Sequence, residues 1–236
     1  WAFFATFSNY FLGMFVAIMI NKKGIKIKKF WRTILVMTIA IPQFVSLLYV
    51  SKLFTTSGII GKLLDQIPLI GNYLDANHYI SLWDSPIAAK ILLIVINVWI
   101  GIPYIMLMAT GILMNIPQDL YESAKIDGAN KWQTLWKVTI PNVMPSITIC
   151  VFLTLTNSFK LFDQNLALTN GMPVVFEEGG VMVNTTEMLA LNIYKTFYTG
   201  AATRGVAQAK AVVFFILVAV IALAQLKATR EKEVQQ

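Results

Sequence analysis

The chain has 236 residues, 57% of them hydrophobic and only 13% charged, whereas an ordinary globular domain carries roughly 25% charged residues; this excludes a water-soluble globular domain and points to a membrane protein. The net charge of +7 would suit a nucleic-acid partner, but Lys22, Lys23, Lys26, Lys28, Lys29 and Arg32 crowd one short connection, which excludes the extended basic face that a phosphate backbone needs. A single cysteine, Cys150, excludes disulfide and multi-cysteine metal frameworks within the chain.

Residues 1–20 contain no Asp, Glu, Lys or Arg, open on Trp1 rather than Met, and include Thr6, Ser8 and Asn9. Without the basic leader of a signal peptide they are expected to be a true span, in a piece of a longer protein. A helix needs about 20 apolar residues to cross the hydrocarbon core. The other uncharged stretches are 33–51, 91–116, 138–159 and 211–226, the last expected to start near Gly205 with Lys210 snorkelling outward. Five spans are expected, at about 1–20, 33–51, 91–116, 142–161 and 205–226.

The basic connection after the first span is cytoplasmic by the positive-inside rule. Alternation then puts 52–90 and 162–204 outside, and 117–141 and the tail from Lys227 inside. The outer loops agree: Lys52, Lys62 and Lys90 face Asp65, Asp75 and Asp84, while Lys160, Lys195 and Arg204 face Asp163, Glu177, Glu178 and Glu187. Pro42, and Gly101 with Pro103, mark spans expected to be broken, and broken membrane helices often line a cavity.

Residues 52–90 read as short amphipathic helices punctuated by Gly58, Pro68 and Pro86. The "GIIGKLL" at 58–64 sets its glycines too close together to wrap a phosphate. No nucleotide motif occurs elsewhere, so any ATP must be hydrolysed by another chain. His78, the only histidine, makes neither a triad nor a multi-histidine metal site and reads as an exposed loop residue. No catalytic or metal-ligating set emerges. Asn184-Thr185-Thr186 is a formal glycosylation sequon that carries little weight.

The polar interruption "YESAKIDGANKWQTLWKVTIPNVMP" at 121–145 is the most informative stretch. Pro117 suits the first helical position, with Asp119 and Glu122 near the positive end of the helix dipole. That helix runs to about Asp127, Gly128 supplies a left-handed terminator, and Asn130 with Gln133 forms a capping-box variant opening a second helix. The second helix ends before Pro141 and presents Trp132, Leu135 and Trp136 on one face. From the residues alone, this apolar face fits two readings: resting on the bilayer or its own bundle, or docking to a partner protein. A DNA-binding helix-turn-helix is disfavoured, because Lys125, Lys131 and Lys137 are offset by Asp119, Glu122 and Asp127.

Glu122-Ser123-Ala124, two residues, then Asp127-Gly128-Ala129, followed by Ile140-Pro141, resembles the EAA loop of importer-type ABC permeases. The departures are Ser123 for Ala and Leu135 where Phe is common. "VWIGIPYIMLMATGILMNIPQDLYESAKIDGA", "SFKLFDQNLALTNGMP" and "QLKATR" resemble the carbohydrate branch, the maltose, glycerol-phosphate and oligosaccharide type, over almost the whole chain from about Phe30. The resemblance implies an all-α polytopic membrane helix bundle of the type I ABC importer class. It also implies that Glu122, Ala124, Asp127, Gly128, Ala129, Trp132, Leu135 and Pro141 couple the permease to a cytoplasmic ATPase, the subunit that holds ATP and magnesium. Further implied partners are a second, homologous permease and an extracellular solute-binding protein docking on 52–90 and 162–205.

The family's sugar contacts fall on Ile100, Gly101, Tyr104, Thr154, Ser158 and Leu161. These residue types suit sugar binding, since a glycine beside a proline admits close backbone approach, a tyrosine ring is flat with a hydroxyl, and Thr154 and Ser158 share a helix face. Leu161 stands where the maltose type has a hydrogen-bonding residue, so contacts must differ there. Asn157, Lys160 and Asp163 are further candidates, since polar residues in spans usually face a cavity; the alternative is hydroxyls bonding their own helix and Lys160 snorkelling outward. The rivals to a sugar importer are an ABC importer for another solute and a secondary transporter or channel without an ATPase.

Overall fold

The structure is a computed structural model describing residues 1–21, 27–177 and 179–233. The expectations for Lys22, Lys23, Lys26 and Glu178 lie outside the described residues. In chain order the elements begin with α1 (Ala2–Asn21), α2 (Lys28–Ala40), α3 (Gln43–Leu53), α4 (Ile59–Asp65), α5 (Pro68–Ala76) and α6 (Pro86–Met114). Next come α7 (Gln118–Ile126), α8 (Lys131–Thr134), a π-helical turn (Leu135–Thr139), α9 (Ile140–Phe159) and α10 (Asp163–Leu168). The chain continues with β1 (Val174–Phe176), β2 (Met182–Asn184), α11 (Leu189–Thr199), a 3-10 turn (Ala201–Thr203) and α12 (Arg204–Glu233).

Among the described residues, three helical runs, Ala2–Asn21, Pro86–Met114 and Ala201–Lys227, are long and apolar enough to cross a membrane. Lys28–Ala40 with Gln43–Leu53, and Lys131–Thr148 with Cys150–Phe159, pass the same test as pairs, giving up to five crossings by length and composition. The second expected span is interrupted at Pro42, whose ψ of 119° is extended. Helical bonding restarts from its carbonyl, which accepts from the N–H of Val45 at 3.0 Å. The third is not broken: α6 runs through Gly101 and Pro103 without interruption. One missing donor is tolerated in a membrane helix that its neighbours hold, and Pro103 is fully buried.

The chain packs as two compact units. The first comprises residues 1–39, 98–158 and 218–236, and its core is Ala17 and Ile20 of α1 with Met106 and Ala109 of α6, flanked by Leu35 and Val36 of α2. Helix α1 is inverted relative to a helix in water: Thr6, Asn9, Tyr10, Gly13 and Ala17 are buried, while Phe3, Phe4, Phe7, Phe11 and Phe15 are exposed. In lipid there is no hydrophobic drive between helices, so small and polar residues take the packed face and large apolar ones face outward.

The second unit comprises residues 40–97 and 159–217, and the expected outer loop 162–204 is built structure rather than a plain connection. Gln164 and Asn165 of α10 are fully buried. Gln164 donates to the Leu93 carbonyl (3.1 Å) and accepts from Asn97 (2.8 Å); Asn165 donates to the Thr186 carbonyl (2.8 Å) and accepts from the Met188 N–H (3.0 Å). Ser51 of α3 donates to the Leu168 carbonyl at 3.1 Å. A short antiparallel hairpin pairs Val174 with Asn184 and Phe176 with Met182, a small β element within an otherwise helical fold. Lys210 donates to Asn192 and Thr196 of α11 at 2.8 and 3.0 Å.

Candidate functional site

The polar stretch folds by local hydrogen bonds. Pro117 is the N-cap of α7, one residue before the expected position, because its ψ of 137° is not helical. At the other end, the Gly128 N–H bonds to the Lys125 carbonyl (3.1 Å) and the Ala129 N–H to the Ala124 carbonyl (2.9 Å). This reciprocal pair is a Schellman stop, and it puts Gly128 at φ +75°. No atom lies within 4 Å of a Cβ added there, so the demand for glycine is purely conformational.

Two residues later, Asn130 accepts from the Gln133 N–H while Gln133 accepts from the Asn130 N–H, both at 2.8 Å, so the capping box is complete. Helix α8 does not end before Pro141, contrary to expectation. It passes through the π turn, where the Ile140 N–H reaches back to the Leu135 carbonyl, and continues as α9. A wide turn immediately before a proline relieves the clash of its ring with the preceding carbonyl. Tyr121 of α7 braces the same turn, its hydroxyl 3.3 Å from that of Thr139.

This geometry leaves a knob with an apolar tip. Ile126 is 85% exposed, Trp132 67% and Trp136 53%, the two indoles meeting edge to face at 5.7 Å. Leu135 is half-buried and Ala124 buried, while Glu122 and Asp127 carry exposed carboxylates without an ion pair among the described residues. Ile126 was not singled out by sequence.

The other candidate positions divide between the units. Thr154 and Ser158 share one face of α9, as expected, and both meet α1: the Tyr10 and Thr154 hydroxyls are 2.9 Å apart, those of Thr6 and Ser158 3.2 Å. Ser158 also donates to the Thr154 carbonyl at 2.9 Å, so one hydroxyl serves its own helix and a neighbour. At Gly101 the place of a side chain is taken by Asn9, whose Oδ1 would lie 2.5 Å from an added Cβ. Gly101, Thr154 and Ser158 are thus brought together against one helix. Ile100 is half-buried, whereas Tyr104 and Asn157 are exposed. Lys160, exposed, Leu161, half-buried, and Asp163, in the first turn of α10, belong to the second unit. Sequence reasoning missed Thr6, Asn9 and Tyr10 as site neighbours; with Gly13 and Ala17 they recur every three to four residues along α1, a small-and-polar stripe that names a packed membrane face.

Residues 9–228 match the family described as "Binding-protein-dependent transport system inner membrane component". Over 143 residues the chain is 44% identical to the probable starch degradation products transport system permease protein AmyD of Thermoanaerobacterium thermosulfurigenes, covering 61% of this chain and 46% of that protein. It is 31% identical over 226 residues to the maltose/maltodextrin transport system permease protein MalF of Escherichia coli K12, covering 94% of this chain and 42% of that one. The chain therefore spans under half the length of these curated relatives. Its fold is similar to a chain in the crystal structure of a bacterial ABC transporter involved in the import of the acidic polysaccharide alginate, with a TM-score of 0.76, 20% identity, and coverage of 96% of this chain and 77% of that one.

Proposed function

This chain belongs to the family of binding-protein-dependent transport system inner membrane components, and on that premise we propose that it is the permease subunit of an ATP-driven importer for a sugar or oligosaccharide. The observation that carries the reading is the knob at Ile126–Trp136: a capped hairpin whose apolar tip is exposed among the described residues. A cytoplasmic ATPase subunit covers it, with Glu122, Asp127 and Gly128 at the contact. The relatives named for starch products and maltodextrin support a carbohydrate cargo.

The chain itself performs no bond chemistry; ATP and magnesium reside on the partner. Work done at the knob has a route inward, because α8, the π turn and α9 form one helical run from Lys131 to Phe159, bent by 41° between Thr148 and Cys150. At 1.5 Å per residue the arm from Lys131 to Thr148 is about 27 Å long, and the segment beyond the bend, Cys150–Phe159, carries Thr154 and Ser158. A rigid-body tilt of that arm switches the pathway between its two openings. The subunit sits in a bacterial cell membrane with its C-terminus cytoplasmic, forms half of the pathway with a homologous permease, and receives cargo from a solute-binding protein at 52–90 and 162–204.

The test is purification of the full-length subunit with its partners, followed by proteoliposome uptake of a labelled sugar panel. Co-purification of an ATPase, and uptake that requires ATP and is blocked by vanadate, are the expected results. Uptake driven by an ion gradient with no ATPase present would overturn the reading, and ATP-driven uptake of a non-sugar solute alone would correct the cargo.

A further inference from the structure

Three positions expected to touch cargo, Gly101 on α6 and Thr154 and Ser158 on α9, are all occupied by consecutive turns of α1. Asn9 fills the space beside Gly101, with three of its side-chain atoms 2.5–2.7 Å from an added Cβ. Tyr10 takes the Thr154 hydroxyl and Thr6 that of Ser158. Thr6 is 1% exposed, Asn9 7% and Tyr10 6%. We propose that α1 is the gate over these groups: Thr6, Asn9 and Tyr10 stand in for cargo hydroxyls in the covered state and must be exchanged for them before the site fills. This rests on the reading that Thr154 and Ser158 touch the sugar.

The chemistry of the covering groups matches that of the cargo. A threonine or tyrosine hydroxyl, like a sugar hydroxyl, both donates and accepts one short hydrogen bond, and an amide packed on bare glycine backbone occupies the space a ligand would use. Ser158 already gives its proton to the Thr154 carbonyl, so towards Thr6 it acts as an acceptor. An incoming hydroxyl therefore replaces Thr6 without disturbing α9. Interhelical hydrogen bonds of this kind are individually weak inside a membrane, which suits contacts that must open in every cycle. The opposite face of α1, with Phe3, Phe7 and Phe11, is exposed in this chain, so an outward shift breaks no contact on that side.

The experiment uses the full-length subunit in its complete assembly, with Cys150→Ala as background. Thr6→Cys with Ser158→Cys is oxidised, the cross-link verified by mass, and labelled-sugar uptake measured before and after reduction. Loss of uptake on oxidation and recovery on reduction are expected; cross-linked transporter importing at the uncross-linked rate would overturn the proposal. In parallel, Tyr10→Phe removes a bond found only in the covered state, shifts the population toward the open one, and lowers KM for the sugar roughly threefold. A lowered melting temperature with unchanged KM would mean the contact is permanent glue and would also overturn it. Thr154→Val and Ser158→Ala separate the underlying reading: both raise KM if these hydroxyls touch cargo. If neither does, the cargo reading has failed, whereas raised KM beside an inert Tyr10→Phe and a harmless cross-link means only the gate has.

Discussion

The knob at 117–141 and the α1–α9 contact both join helices, but they are built on opposite scales. Apart from the Tyr121–Thr139 hydroxyl pair, 18 residues apart, the bonds described in the knob span three to five residues of sequence, from the Schellman stop at Gly128 to the reciprocal Asn130–Gln133 box. The α1–α9 bonds join residues 144 and 152 apart. The first kind is carried by backbone groups and cap side chains that are near neighbours in sequence and keep their partners whatever the rest of the molecule does, which suits a hairpin that must hold its shape. The second is carried by side-chain hydroxyls that any other hydroxyl can replace, which suits a contact that opens. On the proposed reading, rigidity is placed where force would enter and exchangeability where cargo would sit.

Substitutions that attack each kind of bond break that contrast in order of size. Gly128→Val has the largest expected effect: a β-branched residue at φ +75° costs about 1–2 kcal/mol or more and misaligns the knob. ATP-driven uptake should be abolished while membrane insertion, read by cell fractionation, is retained. Gly128→Asn, which tolerates the left-handed conformation, should keep much of the uptake; equal loss in both variants would show that more than backbone conformation is at stake.

Gly101→Val comes next, since an added Cβ would sit 2.5 Å from Asn9. Overpacking of this kind costs about 1–3 kcal/mol and should lower the detergent-solubilised thermal midpoint by several degrees. Asn130→Ala removes one half of the capping box at about 1 kcal/mol, and should leave binding of the ATPase intact while reducing transport per ATP hydrolysed. Thr6→Val is the smallest, at about 0.6 kcal/mol for one interhelical bond in a membrane. It should scarcely move the thermal midpoint; a drop as large as that of Gly101→Val would refute the exchangeable character given to the α1–α9 contact.

The same difference of scale decides how much was legible in the sequence. Gly128, Asn130 and Gln133 could be assigned roles from their spacing because a helix cap involves only near neighbours. The run through Pro141 could not, because a proline after a short helix predicts a stop, and only the π turn, supported by Tyr121 from the preceding helix, explains why there is none. Pro42 and Pro103 make the same point as a pair: both remove one backbone donor, yet the chain breaks at the first and continues through the second, where the proline is buried among neighbouring side chains. In the outer segment, Gln164 and Asn165 are fully buried although no sequence pattern marks them. Their partners, Leu93 and Asn97 on one side and Thr186 and Met188 on the other, are remote in sequence, so nothing local announced that they would be buried.

Composition, the uncharged runs and the cap residues by themselves determined that this is a helical membrane protein with one soluble knob, because hydrophobic length and helix capping are properties of contiguous residues. The structure alone decided which helix lies against Gly101, Thr154 and Ser158. A hydroxyl's choice of partner depends on which distant helix is brought within hydrogen-bonding reach of it, and for a helix such as α1, apolar on its exposed face, that follows from where its small and polar stripe packs.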